Sequence, residues 1–324
     1  MSVSIVINNH NYGRFLEEAI RSALDQSIPA LEVIVVDDGS TDDSRAVMAS
    51  FGDRIQSIFQ ANGGQAAAFN TGIAAAKGDW VWLLDADDSL KPDALANAQR
   101  LIGPGISRIA MGMEFIDADG KSIGKQVPNG GRSFTGNLRD ALLVEGELPC
   151  TPTSGNLFSS AALQAVLPVP EQMFRICADA YLFIMSARHG LVKQEPVLVA
   201  NYRIHGANHY ASRDEEAIDP VVVGRKLNGV LLVMNLLEDY GRTLSALDAR
   251  KIRRFWFTDQ VLPVLLRAKL ARASHPILAD FGLPRLVLAI ICSILPGPRP
   301  LRVRLWKFHH LMKLLLKYGR MVVS

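Results

Sequence analysis

The sequence predicts an α/β fold in which a mostly parallel sheet is flanked by helices and followed by a C-terminal helical extension. Two observations carry the core of that reading. Apolar runs of strand length alternate with helically spaced stretches through residues 1–104. A polar cluster follows each of these runs directly, as expected where parallel strands share one ligand-binding edge. The extension rests on a third: from Val221 to about Ala271 the periodicity is helical.

The elements follow in order. Ser2 to Ile7 is a first strand, broken by Asn8 to Gly13. Phe15, Ala19, Ile20, Ala23 and Leu24 recur at helical spacing behind it. Leu31 to Val36 is a second strand, with turn residues Asp37 to Asp42 and a helix from Asp43. Ile55 to Phe59, an Ala-rich helix over Ala66 to Ala76, and the strand Trp80 to Leu84 complete the alternation. The last strand runs straight into Asp85-Ala86-Asp87-Asp88. Right-handed crossovers then bring four loops to one cleft: Asn8 to Tyr12, Asp37 to Asp42, Asn62 to Gln65 and Asp85 to Asp88. Further on, Arg108 to Ile116 and Glu195 to Tyr202 read as strands, Asp117 to Gly120 as a hairpin turn, and Leu138 to Val144 and Asp179 to Arg188 as helices.

Composition sets bounds. The 324 residues suit one large domain or two, and 49% apolar residues supply a core, which excludes a disordered chain. Three scattered cysteines, Cys150, Cys177 and Cys292, form neither a disulfide framework nor a zinc knuckle and fit a reducing compartment. No signal peptide and no membrane-length apolar run stands in the sequence, so a cytoplasmic protein is expected. Charge is uneven. From Arg285 onward there is no acidic residue, while Arg304, Lys307 and Lys317 oppose an apolar stripe of Leu301, Leu305, Phe308, Met312 and Leu315. That pattern suits a helix lying on the inner face of a membrane, and equally one packed on the domain before it. No nucleic-acid-binding module accompanies the basic charge, and no nucleic-acid partner is expected. The division expected is 1–210 as an α/β domain in two halves (1–104 and 105–210), 211–284 as a helical extension and 285–324 as the basic tail.

Chemistry concentrates after the fourth strand. Carboxylates at alternate positions of a turn can hold Mg2+ or Mn2+ together with phosphate oxygens, and three of them repel unless a cation joins them. Asp88 and Ser89 read equally as helix caps. Asp37-Asp38-Gly39-Ser40 can bind a base N–H or simply make a turn, and Asn62-Gly63-Gly64 is a turn or an anion nest.

In this order, Ser4 to Asn8, Val35 to Asp42, Asn62-Gly63-Gly64, Asn70-Thr71-Gly72, Gly78-Asp79-Trp80 and Leu83 to Asp88 resemble glycosyltransferase family 2. The match is close over residues 2–100 and looser to about 210. The resemblance implies a GT-A glycosyltransferase domain over 1–210, with 1–104 as the nucleotide-sugar-binding half and 105–210 as the acceptor half, and a hexosyltransferase-type enzyme. It would use a nucleotide-sugar donor, usually a UDP-sugar, with inversion at the anomeric carbon. It implies base contacts from Asn8, Asp37 and Asp38, with Asn62 and Ala86 beside the donor. Asp85 matches the ribose contact of the DXD motif and Asp87 the metal ligand. Asn8 departs from the small hydroxyl or Pro usual at its position. Asp179 resembles the family's general base, although Ala178 stands where an acid is common. Tyr202-Arg203-Ile204-His205 resembles a segment in which His205 meets the metal or the diphosphate and Arg203 offsets phosphate charge. Thr153-Ser154-Gly155-Asn156 resembles the acceptor side, with no chemical role assigned. The acceptor expected is a glycan or a lipid-linked sugar of cell-surface polysaccharide or glycolipid synthesis. A nucleotidyltransferase and a non-catalytic nucleotide-sugar-binding module are the alternatives, separated by whether pyrophosphate, nucleoside diphosphate or nothing is released.

Overall fold

Ten strands make one sheet: β1 (Val3–Asn9), β2 (Glu32–Asp38), β3 (Gln56–Gln60), β4 (Trp80–Asp85), β5 (Ser89–Leu90), β6 (Ile106–Asp117), β7 (Ser122–Val127), β8 (Phe134–Gly136), β9 (Asn156–Ser159) and β10 (Leu191–Ile204). The computed structural model describes residues 1–128, 133–142, 149–206, 208, 233, 235–237, 240, 243–245 and 248. Strands β3, β2, β1 and β4 lie side by side and parallel, with Asn8 opposite Asp85 and Asn9 opposite Asp37. The apolar runs of β1, β2 and β4 are buried on both faces, as a sheet sandwiched between helices requires, while β3 forms the exposed edge. Helix α1 (Gly13–Leu24) packs Leu16, Ala19, Ile20 and Ala23 against it, while α2 (Ser44–Phe51) and α3 (Gln65–Ala75) complete the crossovers.

Beyond β4 the sheet turns mixed. The short strand β9 inserts antiparallel between β4 and β6, and β10 then runs parallel to β6 along eleven paired positions. Antiparallel ladders span only two or three residue pairs each, so parallel pairing dominates by length. The expected hairpin after Asp117 forms, with Gly120 at φ 81. Helices α4 (Ala94–Leu101), α5 (Leu138–Asp140), α6 (Ser160–Gln164) and α7 (Ala178–Ser186) complete the described elements.

Two compact units divide the chain. Met1–Leu138 with Pro149–His205 holds the sheet. Arg139–Leu148 with Gly206–Ser324 forms the other, in which Leu236, Leu237 and Tyr240 are buried and Arg139 pairs with Asp248 at 2.8 Å. Most of the expected helical extension and all of the basic tail lie outside the described residues. Among the described residues, no helix is long and apolar enough to cross a membrane.

Candidate active site

At one end of the cleft, loops after β1, β2 and β3 lock together through carboxylates. Asp37 is fully buried, accepting from Nδ2 of Asn9 at 3.1 Å and from Nε of Arg45 at 3.3 Å. Asp38 accepts from Nε2 of Gln60 at 2.8 Å and from the amides of Gly63 and Gly64 at 2.8 and 2.7 Å. Both acids therefore satisfy the protein's own donors, and what they leave at the surface is Asn62 and His10. The ring of His10 meets the backbone oxygen of Asp38 at 2.8 Å and the side-chain amide of Asn62 at 2.9 Å. Gly64, at φ 89, cannot carry a side chain: a Cβ there would sit 2.4 Å from Cγ and 2.6 Å from the carbonyl oxygen of Arg175.

The acid loop after β4 is split in three directions. The Asp85 carboxyl lies beside the side chains of Asn8 and Thr153, and its amide donates to Oγ of Ser154 at 3.1 Å. Ala86 turns its methyl into the core and gives its amide to the carbonyl of Asn8 at 3.2 Å. Asp87 keeps its side chain 13% exposed, with Oδ2 3.0 Å from Nε2 of His205. Asp88 caps no helix; its buried carboxylate accepts from Oγ of Ser154 at 2.7 Å and from the amide of Arg203 at 2.9 Å. Ser154 in turn is pinned by Trp82, whose indole N–H reaches its carbonyl at 2.9 Å from the core beneath.

From the second half come Asp179 and His205. Cys177, in the left-handed conformation at φ 65, turns the chain into α7 and so sets Asp179 in its first turn. The amide of Ala178 is anchored to Oε1 of Gln65 at 2.9 Å, which ties this turn to the Gly63-Gly64 loop. Asp179 accepts from its neighbour's amide, Ala180, at 2.9 Å and from Oγ1 of Thr153 at 3.3 Å. His205, just past β10, is seated between Tyr12 and Phe15, with ring centroids 5.4 and 5.0 Å away.

Burial, then the charges of Asp87 and Asp179, push the Asp85 carboxyl up to about 7, against the pull of the neighbouring Asn8 and Thr153 side chains. Burial also raises Asp179 above the usual carboxylate range. The phenol of Tyr12 is raised by burial and by the same acid loop, which places it against the cluster.

Does this site suit a divalent ion? Among the described residues, no group of three or more His, Cys, Asp or Glu forms a cage. Magnesium and manganese in nucleotide enzymes need no cage, since one or two protein groups share them with phosphate oxygens. Two neighbouring ligands of an octahedral ion with bonds of about 2.1 Å lie about 3.0 Å apart, and the Asp87–His205 separation matches that spacing. The side-chain oxygen of Asn8 is buried without a hydrogen-bond donor, an acceptor left for something outside the protein.

One expectation fails here. Arg203 does not face a phosphate: it is buried and turned beneath the acid loop, its guanidinium stacked 5.0 Å over Phe15. Sequence reading also passes over His10, Tyr12 and Glu18 as functional residues. The first two lie within the polar cluster after β1, where the signal is present; Glu18 sits mid-helix and gives none.

Known proteins resemble this chain in sequence and in fold. The family model for glycosyl transferase family 2 matches residues 4–165. An uncharacterized glycosyltransferase of Nostoc sp. is 39% identical over 221 residues, 65% of this chain and 67% of that protein. The succinoglycan biosynthesis protein ExoO of Rhizobium meliloti is 36% identical, but the match spans only 37% of this chain and 36% of ExoO. S. aureus TarS 1-349 in complex with UDP-GlcNAc superposes with a TM-score of 0.61 at 16% identity, covering 99% of this chain and 92% of TarS 1-349. The mannosyltransferase PcManGT from Pyrobaculum calidifontis, in complex with GDP-Man and Mn2+, superposes at 0.55 with 19% identity, covering 98% and 86%.

Proposed function

The chain belongs to glycosyltransferase family 2, and from that premise we propose that it is a metal-dependent inverting enzyme. It moves a sugar from a nucleoside-diphosphate donor, a UDP-sugar first among them, to a glycan or lipid-linked acceptor. One observation carries the reading: Asp85 of the donor half and Asp179 of the acceptor half stand close enough for the charge of Asp179 to raise the Asp85 carboxyl, with Thr153 beside both and donating its hydroxyl to Asp179 at 3.3 Å. The candidate base therefore stands beside the carboxylate assigned to the ribose.

In this reading the acceptor hydroxyl attacks the anomeric carbon as the bond to the diphosphate breaks, and its proton passes to Asp179. A raised pKa suits that task, because a base near the working pH takes the proton most effectively. Asp87 and His205 would hold Mn2+ or Mg2+, whose chemistry is to offset charge on the departing diphosphate. Asn8, Asn62 and the backbone of Ala86 contact the donor, and Asp85 takes the ribose. Asp37 and Asp38 serve the same site by holding the loops that carry Asn62. The UDP-GlcNAc and GDP-Man bound by the two structural neighbours, the Mn2+ of the second and the succinoglycan role of ExoO support this reading. The basic tail, residues 285–324, brings the protein to the cytoplasmic membrane face and so to lipid-linked acceptors; sedimentation with anionic liposomes tests that part, and failure to co-sediment removes it.

A donor screen decides the rest. Nucleotide sugars with Mn2+ should raise the melting temperature, since a ligand bound only by the native state stabilises it. Turnover should release nucleoside diphosphate. Release of pyrophosphate would make the protein a nucleotidyltransferase, and binding without any product a non-catalytic module.

A further inference from the structure

Arg203 has no access to a ligand, being 2% exposed, yet its side chain touches the backbone of the residue on which the proposed chemistry depends. Its Nε donates to the carbonyl of Asp87 at 2.9 Å. Nη2 reaches Oε2 of Glu18 on α1 at 2.5 Å, and Nη1 lies 3.4 Å from the carbonyls of Asp117 and Ala118. The backbone amide of Arg203 holds Asp88 at 2.9 Å. Two positions on, past the end of β10, the His205 ring meets the Asp87 carboxylate at 3.0 Å. Arg203 at the end of β10 and His205 just past it thus take Asp87 at both its peptide and its carboxylate.

We infer that Arg203 is a positioning residue for Asp87, acting on its peptide bond with Glu18 as counter-ion and Phe15 as the platform beneath the guanidinium. The inference rests on the proposed function only in that Asp87 must be well placed for transfer. A planar fork is needed here: three of its nitrogens serve three different places, and the compact ammonium of a lysine cannot do so. Glu18 is the accessible end of this device, its side chain 51% exposed, so it can be changed without opening the core.

Amide hydrogen exchange over residues 85–88 in the free protein tests it, with Mn2+ affinity measured in parallel. In Glu18→Ala and Arg203→Lys, exchange at 85–88 should quicken about tenfold or more while the amides of β1 stay protected. Mn2+ affinity should fall about tenfold. Glu18→Gln, which keeps an acceptor, should stay close to wild type in both. If Arg203→Lys does not fold, Glu18→Ala is sufficient to decide. Exchange within twofold of wild type in the folded variants overturns the inference. A wild-type protein that takes up no Mn2+ counts against the metal reading instead, and leaves the exchange result to judge the positioning role.

Discussion

Thr153 donates its hydroxyl to Asp179 across 3.3 Å and 26 positions of sequence, beside the Asp85 carboxyl, which the charge of Asp179 raises. The bond to Thr153 favours the ionised form of Asp179, while burial opposes it.

Thr153→Val keeps the volume of this buried site and removes the bond. The Asp179 carboxyl should then rise further, moving the acid limb of kcat/KM to higher pH and lowering turnover at neutral pH about tenfold. Thr153→Ser should restore both. A pH profile that does not move on Thr153→Val would show that the hydroxyl leaves Asp179 untouched.

Asp179→Asn should cut transfer by about 10^3-fold while calorimetry still finds donor binding. Its effect on stability has a definite sign. The folded protein raises this carboxyl, so it holds the proton more tightly than the unfolded chain does, and the group's contribution falls as pH climbs from the unfolded value through the folded one. Denaturation at neutral pH should accordingly find Asp179→Asn at least as stable as wild type, with the advantage shrinking in acid. A loss of stability at neutral pH would mean the carboxylate is structural.

Asp87→Ala should abolish both transfer and donor hydrolysis, a loss of at least about 10^3-fold, in a protein that still melts cooperatively. His205→Ala should weaken Mn2+ binding by about 10- to 100-fold. Activity that survives in Asp87→Ala, or in excess chelator, would remove the metal from the reaction.

Gly64→Ala meets two obstacles, a positive φ that costs an alanine about 1–2 kcal/mol and a backbone oxygen 2.6 Å from the new methyl. Chemical denaturation should show a loss of about 2 kcal/mol or more, and donor affinity should fall as the Arg175 segment is pushed off Asn62. A variant of wild-type stability would mean that this segment has room to move.

The parallel half of the sheet is legible in the sequence because β1, β2 and β4 are continuous apolar runs, each ending in polar residues. Strand β9 is not, since four residues with only Leu157 and Phe158 apolar carry no period, and its place between β4 and β6 is set by partners far along the chain. Sequence presents Asp85, Asp87 and Asp88 as one cluster. Structure separates them by what surrounds each: an amide and a hydroxyl for Asp85, an imidazole for Asp87, Ser154 and a strand amide for Asp88. Arg203 misleads for a related reason. A positive charge near a site of anions suggests a ligand contact, and only the fold reveals that carbonyl oxygens and Glu18 already claim its donors.

Strand β10 returns to the cleft late, and that has a practical meaning for anyone trimming this gene. The family match stops at residue 165. A fragment cut there would keep all that the family model matches, yet lack Asp179, the proposed base, with the His205 imidazole and the Arg203 guanidinium. Its recognisable portion and its proposed working portion are different lengths of polypeptide.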